Sequence, residues 1–60
     1  MNYYELRRRA TARVDKMNKE GHTEEEIVYS VGLDFGFGEK FVMKRLDLIL
    51  KMQCKQQENE

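Results

Sequence analysis

The sequence predicts an all-α fold, a single small bundle of three helices near residues 3–19, 24–35 and 39–56. Apolar side chains recur at three- and four-residue spacing along each of these segments, which is the period of a helix with a buried face. Glycines fall where the pattern is interrupted, at Gly21 and within residues 32–38. A chain of 60 residues suffices for one domain with a thin core.

The first segment has the pattern of an amphipathic helix with a charged side. Its apolar face consists of Tyr3, Leu6, Ala10, Val14 and Met17. Arg9, Arg13 and Lys16 share another side of the same helix, at about 100° per residue. Two interpretations of that side remain open: it is a solvated charged face, or it is a strip that contacts phosphates.

The second helix is predicted to begin after Thr23. The run Thr-Glu-Glu-Glu places a hydroxyl at the N-cap position and Glu26 three residues later, which is the spacing of a capping box. The helix dipole favours negative charge in the first turn, so the three glutamates have a local structural explanation. His22 precedes the cap and has no ligand-type neighbours at metal spacing, so we assign it no chemistry.

Residues 32–38, GLDFGFG, form the predicted turn between the second and third helices. We expect Gly36 or Gly38 to take a left-handed conformation there, and Phe35 and Phe37 to fold inward. No strand precedes these glycines, and no Gly-Lys-Ser or Gly-Lys-Thr motif follows them. We therefore do not predict a phosphate-binding loop.

The third helix is the longest predicted element, and it is apolar over a wide arc. A narrow strip of lysines interrupts that arc, made of Lys40, Lys44, Lys51 and Lys55. Arg45 lies within the apolar arc, where it either extends its charged end to solvent or pairs with an acid across the interface. Since the arc is about twice the ~100° of an ordinary surface helix, the third helix must be covered from more than one side.

The predicted core is drawn from all three helices and from the second turn. It consists of Leu6, Ala10, Val14, Ile27, Val31, Phe35, Phe37, Val42, Leu46 and Ile49. We expect residues 1–56 to form one domain and the polar tail, residues 57–60, to fray.

The net charge is zero, but charge is segregated along the chain. Residues 1–19 carry six basic and two acidic side chains, and residues 20–39 carry six acidic side chains with no lysine or arginine. Residues 40–60 carry five basic and three acidic side chains, so the three segments have charges of +4, −6 and +2. Local fields of this kind matter even where the total vanishes.

Several functional classes receive no support from the sequence. The chain has no Ser/His/Asp set and is too short to enclose a substrate, so we do not predict an enzyme. The single cysteine, Cys54, cannot close an internal disulfide, and no Cys/His cluster suggests a metal or another cofactor. There is no apolar run near the ~18 residues of a membrane span and no secretory signal pattern at the start. We expect a cytoplasmic protein without a membrane partner.

Residues 23–49 combine a capped acidic helix start, inward apolar residues, a glycine-containing turn and a second helix with inward apolar residues. This combination resembles the helix-turn-helix domain of small DNA-binding regulators of archaea, phages and plasmids. The resemblance implies that the third helix is the recognition helix, with Lys40, Lys44 and Arg45 near DNA. The family's turn has three or four residues, and Gly32 leaves its frame open here. No β-hairpin pattern follows, so a winged form is not expected.

We therefore predict a small DNA-binding protein of the transcriptional or replication regulator type, with its third helix on duplex DNA. The candidate DNA contacts are Lys40, Lys44, Arg45, Lys51, Arg9 and Arg13. The lysine strip holds no Asn, Gln or Arg, so it favours phosphate contacts over base reading. The alternative is a small protein-binding inhibitor or adaptor that presents the third helix or the Phe-rich hinge to another protein and binds no DNA.

A homodimer through the C-terminal part of the third helix is also predicted. The apolar residues expected at the dimer interface are Leu46, Leu48, Leu50 and Met52. The first two helices each offer a single apolar stripe, so they leave part of the third helix uncovered. A two-fold axis near Leu50 supplies the remaining cover and brings two lysine strips onto one assembly.

Overall fold

The computed structural model describes the backbone of residues 2–58 and the side chains of residues 2–53. Three helices, α1 (Tyr3–Lys19), α2 (Glu24–Phe35) and α3 (Glu39–Glu58), account for most of this length, and residues 2–58 contain no strand. The all-α prediction is confirmed. The predicted bounds of α1 and α2 agree with the structure, whereas α3 extends past its predicted end because its helical backbone continues to Glu58.

Some sequence predictions concern residues beyond this description. The side chains of Lys55 and Cys54 are not among the described ones. The predicted fraying of residues 57–60 likewise lies outside the described residues, apart from the helical backbone of residues 57 and 58.

Both ends of α1 are capped by hydrogen bonds. The side-chain oxygen of Asn2 accepts a hydrogen bond from the Glu5 amide at 2.8 Å. At the other end, the amide of His22 donates to the carbonyl oxygen of Met17 at 3.1 Å. Gly21 lies between Met17 and His22 and has a φ of +89°, a left-handed conformation in which a residue with a side chain would be strained. These bonds end α1 in a Schellman-type turn, after which the chain reverses direction and enters α2.

The capping box predicted at the start of α2 is confirmed. The Glu26 amide donates to Thr23 Oγ1 at 3.2 Å, and the Thr23 amide donates to Glu26 Oε1 at 2.9 Å. His22 Nδ1 lies 3.3 Å from the same Glu26 oxygen. The Thr23 backbone and then the His22 ring hold the pKa of Glu26 below its ordinary value. The acidic start of α2 is thus fixed by local hydrogen bonds, as the sequence predicted.

A three-residue turn, residues 36–38, connects α2 to α3. Gly36 has a φ of +79°, and its amide donates to the carbonyl oxygen of Gly32 at 3.0 Å. Of the two candidate glycines, Gly36 is therefore the left-handed cap. Gly32 remains inside α2, which settles the frame of the turn.

Aromatic rings on the turn pack against both neighbouring helices. Phe37 stacks on Phe41 of α3 with ring centroids 4.5 Å apart, and it meets the edge of Tyr3 of α1 at 5.9 Å. Phe35 and Phe37 are half-buried against the core, so their predicted inward orientation is confirmed. The rings of Phe35 and Phe37 thus pack within the chain.

The fully buried core lies where the three helices meet. Its members are Ala10, Val14, Ile27, Val31 and Val42. All five were predicted, and the other predicted core residues are half-buried: Leu6, Phe35, Phe37, Leu46 and Ile49. A core of this size is typical of a domain near the lower length limit for independent folding. None of the helices in the described part of the chain combines the length and the apolar character that a bilayer span requires.

Candidate nucleic-acid interface

The outward face of α3 carries three lysines that point to solvent. Lys40, Lys44 and Lys51 are exposed and fall within about 40° of one another at ~100° per residue. We call these three residues the lysine ridge. Asp47 interrupts the ridge, with its Oδ2 4.0 Å from Lys51 Nζ, and both side chains of this pair are largely exposed. Such a pair contributes little to stability. Three lysines against one aspartate leave this face with a net positive charge.

Arg45 does not join the lysine ridge in this structure. Its Nε and Nη2 donate to Oδ1 and Oδ2 of Asp15 on α1, at 2.9 and 2.8 Å. This is a bidentate salt bridge between the guanidinium and the carboxylate. The Arg45 side chain is only 27% exposed. The hydrogen bonds from Arg45 to Asp15 raise the pKa of Arg45 above its ordinary value. Of the two possibilities that the sequence left for Arg45, pairing with an acid across the interface is the one found.

Arg13 is likewise held within the bundle. Its Nη1 donates to Ser30 Oγ at 2.8 Å and to Asp34 Oδ2 at 2.6 Å, both on α2. The guanidinium also lies over the Phe35 ring, 5.2 Å from its centroid. Arg13 therefore ties α1 to α2, as Arg45 ties α3 to α1.

Arg9 is exposed, but it lies apart from the lysine ridge. It is about 120° around α1 from Asp15, the residue that marks the side of α1 facing α3. The nearest carboxylate is that of Glu5, at 3.9 Å in an exposed pair. Arg9 is thus free to contact a ligand, but on a different face of the molecule from Lys40 and Lys44.

A cation that the sequence prediction did not include, Arg7, lies across a shallow groove from the ridge. This α1–α3 groove has a volume of about 170 Å³ and is lined by Arg7, Thr11, Phe41, Lys44, Arg45 and Leu48. Arg7, Thr11 and Asp15 recur at four-residue spacing, so the sequence places them on one side of α1. The groove and the pairing of Asp15 with Arg45 show that this side faces α3.

Three of these cations lack an acidic partner. Within residues 2–53, no carboxylate lies within 4.0 Å of the charged nitrogens of Lys40, Lys44 or Arg7. All three side chains are exposed. They can therefore bind the oxygens of an anionic polymer without first breaking an internal ion pair.

The opposite flank of α3 has the reverse charge. Glu24 and Glu25 of α2 and Glu39 of α3 line a depression there, and Asp47 lines the adjoining one. Negative charge on this flank repels phosphates. The α2 side of the lysine ridge is therefore the less favourable side for an anionic polymer.

The four residues predicted at a dimer interface do not share one face of α3. Leu46 is half-buried and packs against the core. Leu48 and Met52 lie one turn apart, with 46% and 49% of each exposed, and Leu48 borders the α1–α3 groove. Leu50 is 58% exposed and borders the depression on the α2 side. A single symmetric contact can cover one of these flanks, so the predicted interface consists of two separate apolar surfaces.

No protein-family model, no curated protein and no solved structure matches this chain. The geometry of the described residues is what supports the proposal that follows.

Proposed function

We propose that the protein binds double-stranded DNA through the lysine ridge of α3, with Arg7 of α1 as a further phosphate contact. The observation that carries this proposal is the set of exposed cations without an acidic partner among the described residues. Lys44 and Arg7 flank the α1–α3 groove, and Lys40 lies one turn from Lys44. Release of counterions from DNA on binding such cations supplies most of the affinity for DNA of any sequence.

The connection between α2 and α3 also supports this proposal. Two helices joined by a three-residue turn with a left-handed Gly36 are typical of helix-turn-helix domains. In that arrangement the second helix of the pair enters the major groove with its N-terminal part. The exposed residues of α3 at that end include Lys40, Met43 and Lys44. The role that we propose for this surface is regulation of transcription or replication.

Phosphate contacts outweigh base contacts in this proposal. Arg, Asn and Gln hold a base edge in a fixed two-point geometry, whereas lysine is a flexible point charge that binds phosphates as readily as a base. The ridge offers lysines, and Arg45 is held by Asp15. We therefore expect similar affinities for duplexes of different sequence.

The homodimer remains part of this proposal in a narrower form. Leu48 and Met52 form an exposed apolar pair at i, i+4 spacing on the flank of α3 that faces away from α2. A two-fold contact through this pair covers apolar surface and places two lysine ridges on one assembly. Two ridges suit a DNA site with two halves.

The salt dependence of binding to a random-sequence duplex tests the DNA proposal. Affinity should fall steeply between about 50 and 200 mM salt. Lys40→Ala and Lys44→Ala should each weaken binding equally on all sequences, and should each reduce the slope of log affinity against log salt by about 1. An unchanged slope in both variants would contradict the proposal.

Two matched controls show whether DNA binding depends on the lysine ridge and Arg7 or on the total positive charge of the protein. Lys16→Ala removes one exposed positive charge about 180° around α1 from Arg7, so it should leave the slope unchanged. Arg7→Ala should weaken binding, whereas Arg9→Ala should not, because Arg9 lies about 160° around α1 from Arg7. Equal losses in Arg7→Ala and Arg9→Ala would show that total charge, rather than this face, binds DNA.

A further inference from the structure

An apolar groove runs between α2 and α3 on the flank away from α1. We call it the α2–α3 groove. Its apolar residues are Val28, Tyr29, Met43, Leu46 and Leu50. Tyr29 is 72% exposed, Leu50 58% and Met43 46%, so much of this surface faces solvent. Solvent-exposed apolar surface of this kind, rimmed by polar groups, marks interaction sites on small proteins.

The rim of this groove is acidic. Glu24, Glu25 and Glu39 surround Val28 and Tyr29, and Asp47 lies beside Met43 and Leu50. Lys44 is the one cation among the residues that line the two described depressions. Within residues 2–53, Glu24, Glu25 and Glu39 have no cation within 4.0 Å. Their negative charge is therefore available to a partner.

The shape of the groove favours an elongated occupant over a small molecule. Its two depressions have volumes of about 470 and 300 Å³ and share Glu24 as a lining residue. Ligand pockets of this volume bury most of the surface of their ligand, whereas both depressions are open to solvent. An elongated partner that lies along the groove fits this shape.

The charge of the groove excludes DNA and disfavours a second copy of this chain. Phosphates and carboxylates repel each other. A two-fold contact between two such grooves places like charges opposite each other, which costs free energy. The basic outer side of α1 in another copy carries Arg8, Lys16 and Lys19 around the small Ala12. Its one large exposed ring, Tyr4, lies in the first turn, so this side offers no apolar stripe over two turns to fill the groove.

We infer that the α2–α3 groove binds an amphipathic helix of another protein, one with an apolar stripe flanked by lysines or arginines. Met43 and Leu50 are seven residues apart on one flank of α3, so they match apolar residues that recur over two turns of a partner helix. Flexible methionines such as Met43 adapt to partner side chains of different shape. The carboxylates of Glu24, Glu25 and Glu39 on the rim pair with basic residues beside the partner's stripe.

A designed peptide tests this inference on the full chain. The probe is an amphipathic helical peptide of leucine and lysine, with leucines on one face. The controls are the same peptide with glutamate in place of lysine, and a peptide of the same composition without helical periodicity. We expect the basic amphipathic peptide to bind at micromolar concentration, to shift the amide resonances of Val28, Tyr29, Met43 and Leu50, and to bind less tightly as salt rises.

Matched variants show whether the groove itself is the site. Leu50→Ala should weaken peptide binding about tenfold, and Leu48→Ala, on the other flank of the same helix, less than about twofold. Both positions are exposed, so neither change should unfold the protein. Glu24→Gln combined with Glu25→Gln should reduce the salt dependence of binding, whereas Glu5→Gln on α1 should not.

Several results would overturn the inference. They are absence of peptide binding up to about 1 mM, equal binding of the glutamate peptide, and equal losses in Leu50→Ala and Leu48→Ala. Shifts confined to Arg7, Thr11 and Leu48 would place the peptide in the α1–α3 groove instead. If dilution of the protein alone shifts the groove amides, a second copy occupies the groove.

Discussion

The guanidinium of Arg45 donates two hydrogen bonds to the carboxylate of Asp15, from Nε to Oδ1 at 2.9 Å and from Nη2 to Oδ2 at 2.8 Å. This pair joins α3 to α1 beside the fully buried Val14 and Val42. The Arg45 side chain is 27% exposed and that of Asp15 is 42% exposed. Two-point geometry and partial burial make this pair stronger than an ordinary surface ion pair.

A double-mutant cycle should detect this strength. Arg45→Ala, Asp15→Ala and the double variant should give a coupling free energy of about 1 kcal/mol in denaturant unfolding. The Glu5–Arg9 pair, exposed and at 3.9 Å, is the control and should show no measurable coupling. Equal coupling in both pairs would mean that the Arg45–Asp15 geometry adds nothing to stability.

The capping box should contribute to the stability of the whole domain. Thr23→Ala removes the acceptor of the Glu26 amide and should lower the free energy of unfolding by about 1 kcal/mol. In a domain of this size, that loss lowers the melting temperature by roughly 4–8 °C. Thr23→Ser keeps the hydroxyl and should recover most of the loss. If serine is as destabilising as alanine, the hydroxyl is not the cause.

Stability should depend on pH through Glu26. Hydrogen bonds from the Thr23 backbone, and then from His22, hold the pKa of Glu26 below its ordinary value of 4.5. The folded state therefore binds the proton of this carboxyl less tightly than the unfolded state does. Its contribution is complete above about pH 4.5 and is lost as the pH falls through the lowered pKa of the folded state.

Comparison of variants isolates this contribution. The difference in melting temperature between the wild type and Glu26→Gln should narrow as the pH falls below about 4.5. Glu25→Gln provides the baseline, because the Glu25 carboxylate makes no hydrogen bond to the cap. A difference for Glu26→Gln that stays constant with pH would show that its carboxylate is not linked to folding.

Self-association should depend on one flank of α3. We expect a small interface of this kind to have a dissociation constant of about 1 μM, so the wild type should be a dimer at tens of micromolar protein. If Leu48 and Met52 form the two-fold contact, Leu48→Glu should convert this dimer to a 7.2 kDa monomer in sedimentation. Leu50→Glu places its charge on the opposite flank and should leave the dimer intact. A monomer in the wild type would remove the dimer from the proposal, and a monomer in Leu50→Glu alone would move the contact to the α2 side.

Local signals in the sequence predicted the helices and the centre of the core. The Thr23 capping box and the left-handed Gly36 act over three or four residues, so periodicity and cap chemistry determine where α2 begins and ends. The buried positions Val14, Val31 and Val42 follow from the same periodicity.

The candidate site was less predictable, because its geometry depends on distant partners. Arg45 pairs with a residue 30 positions away, and Arg13 with one 21 positions away. Helical periodicity shows that these arginines border an apolar face, but not which carboxylate each one finds. Arg7 was missed for the same reason, since its importance depends on which side of α1 packs against α3.

The small number of buried contacts on α3 affects how easily that helix opens. Among the fully buried side chains of residues 2–53, α1 and α2 contribute two each, whereas the described part of α3 contributes Val42 alone. Beyond Val42, half-buried side chains hold α3 to the rest of the bundle: Arg45, Leu46 and Ile49. Local unfolding begins where buried contacts are fewest, so we expect the amide protons of residues 43–53 of α3 to exchange with solvent sooner than those of α1 and α2. A ligand that binds only folded α3 therefore slows this exchange, and its affinity includes the free energy of ordering the helix.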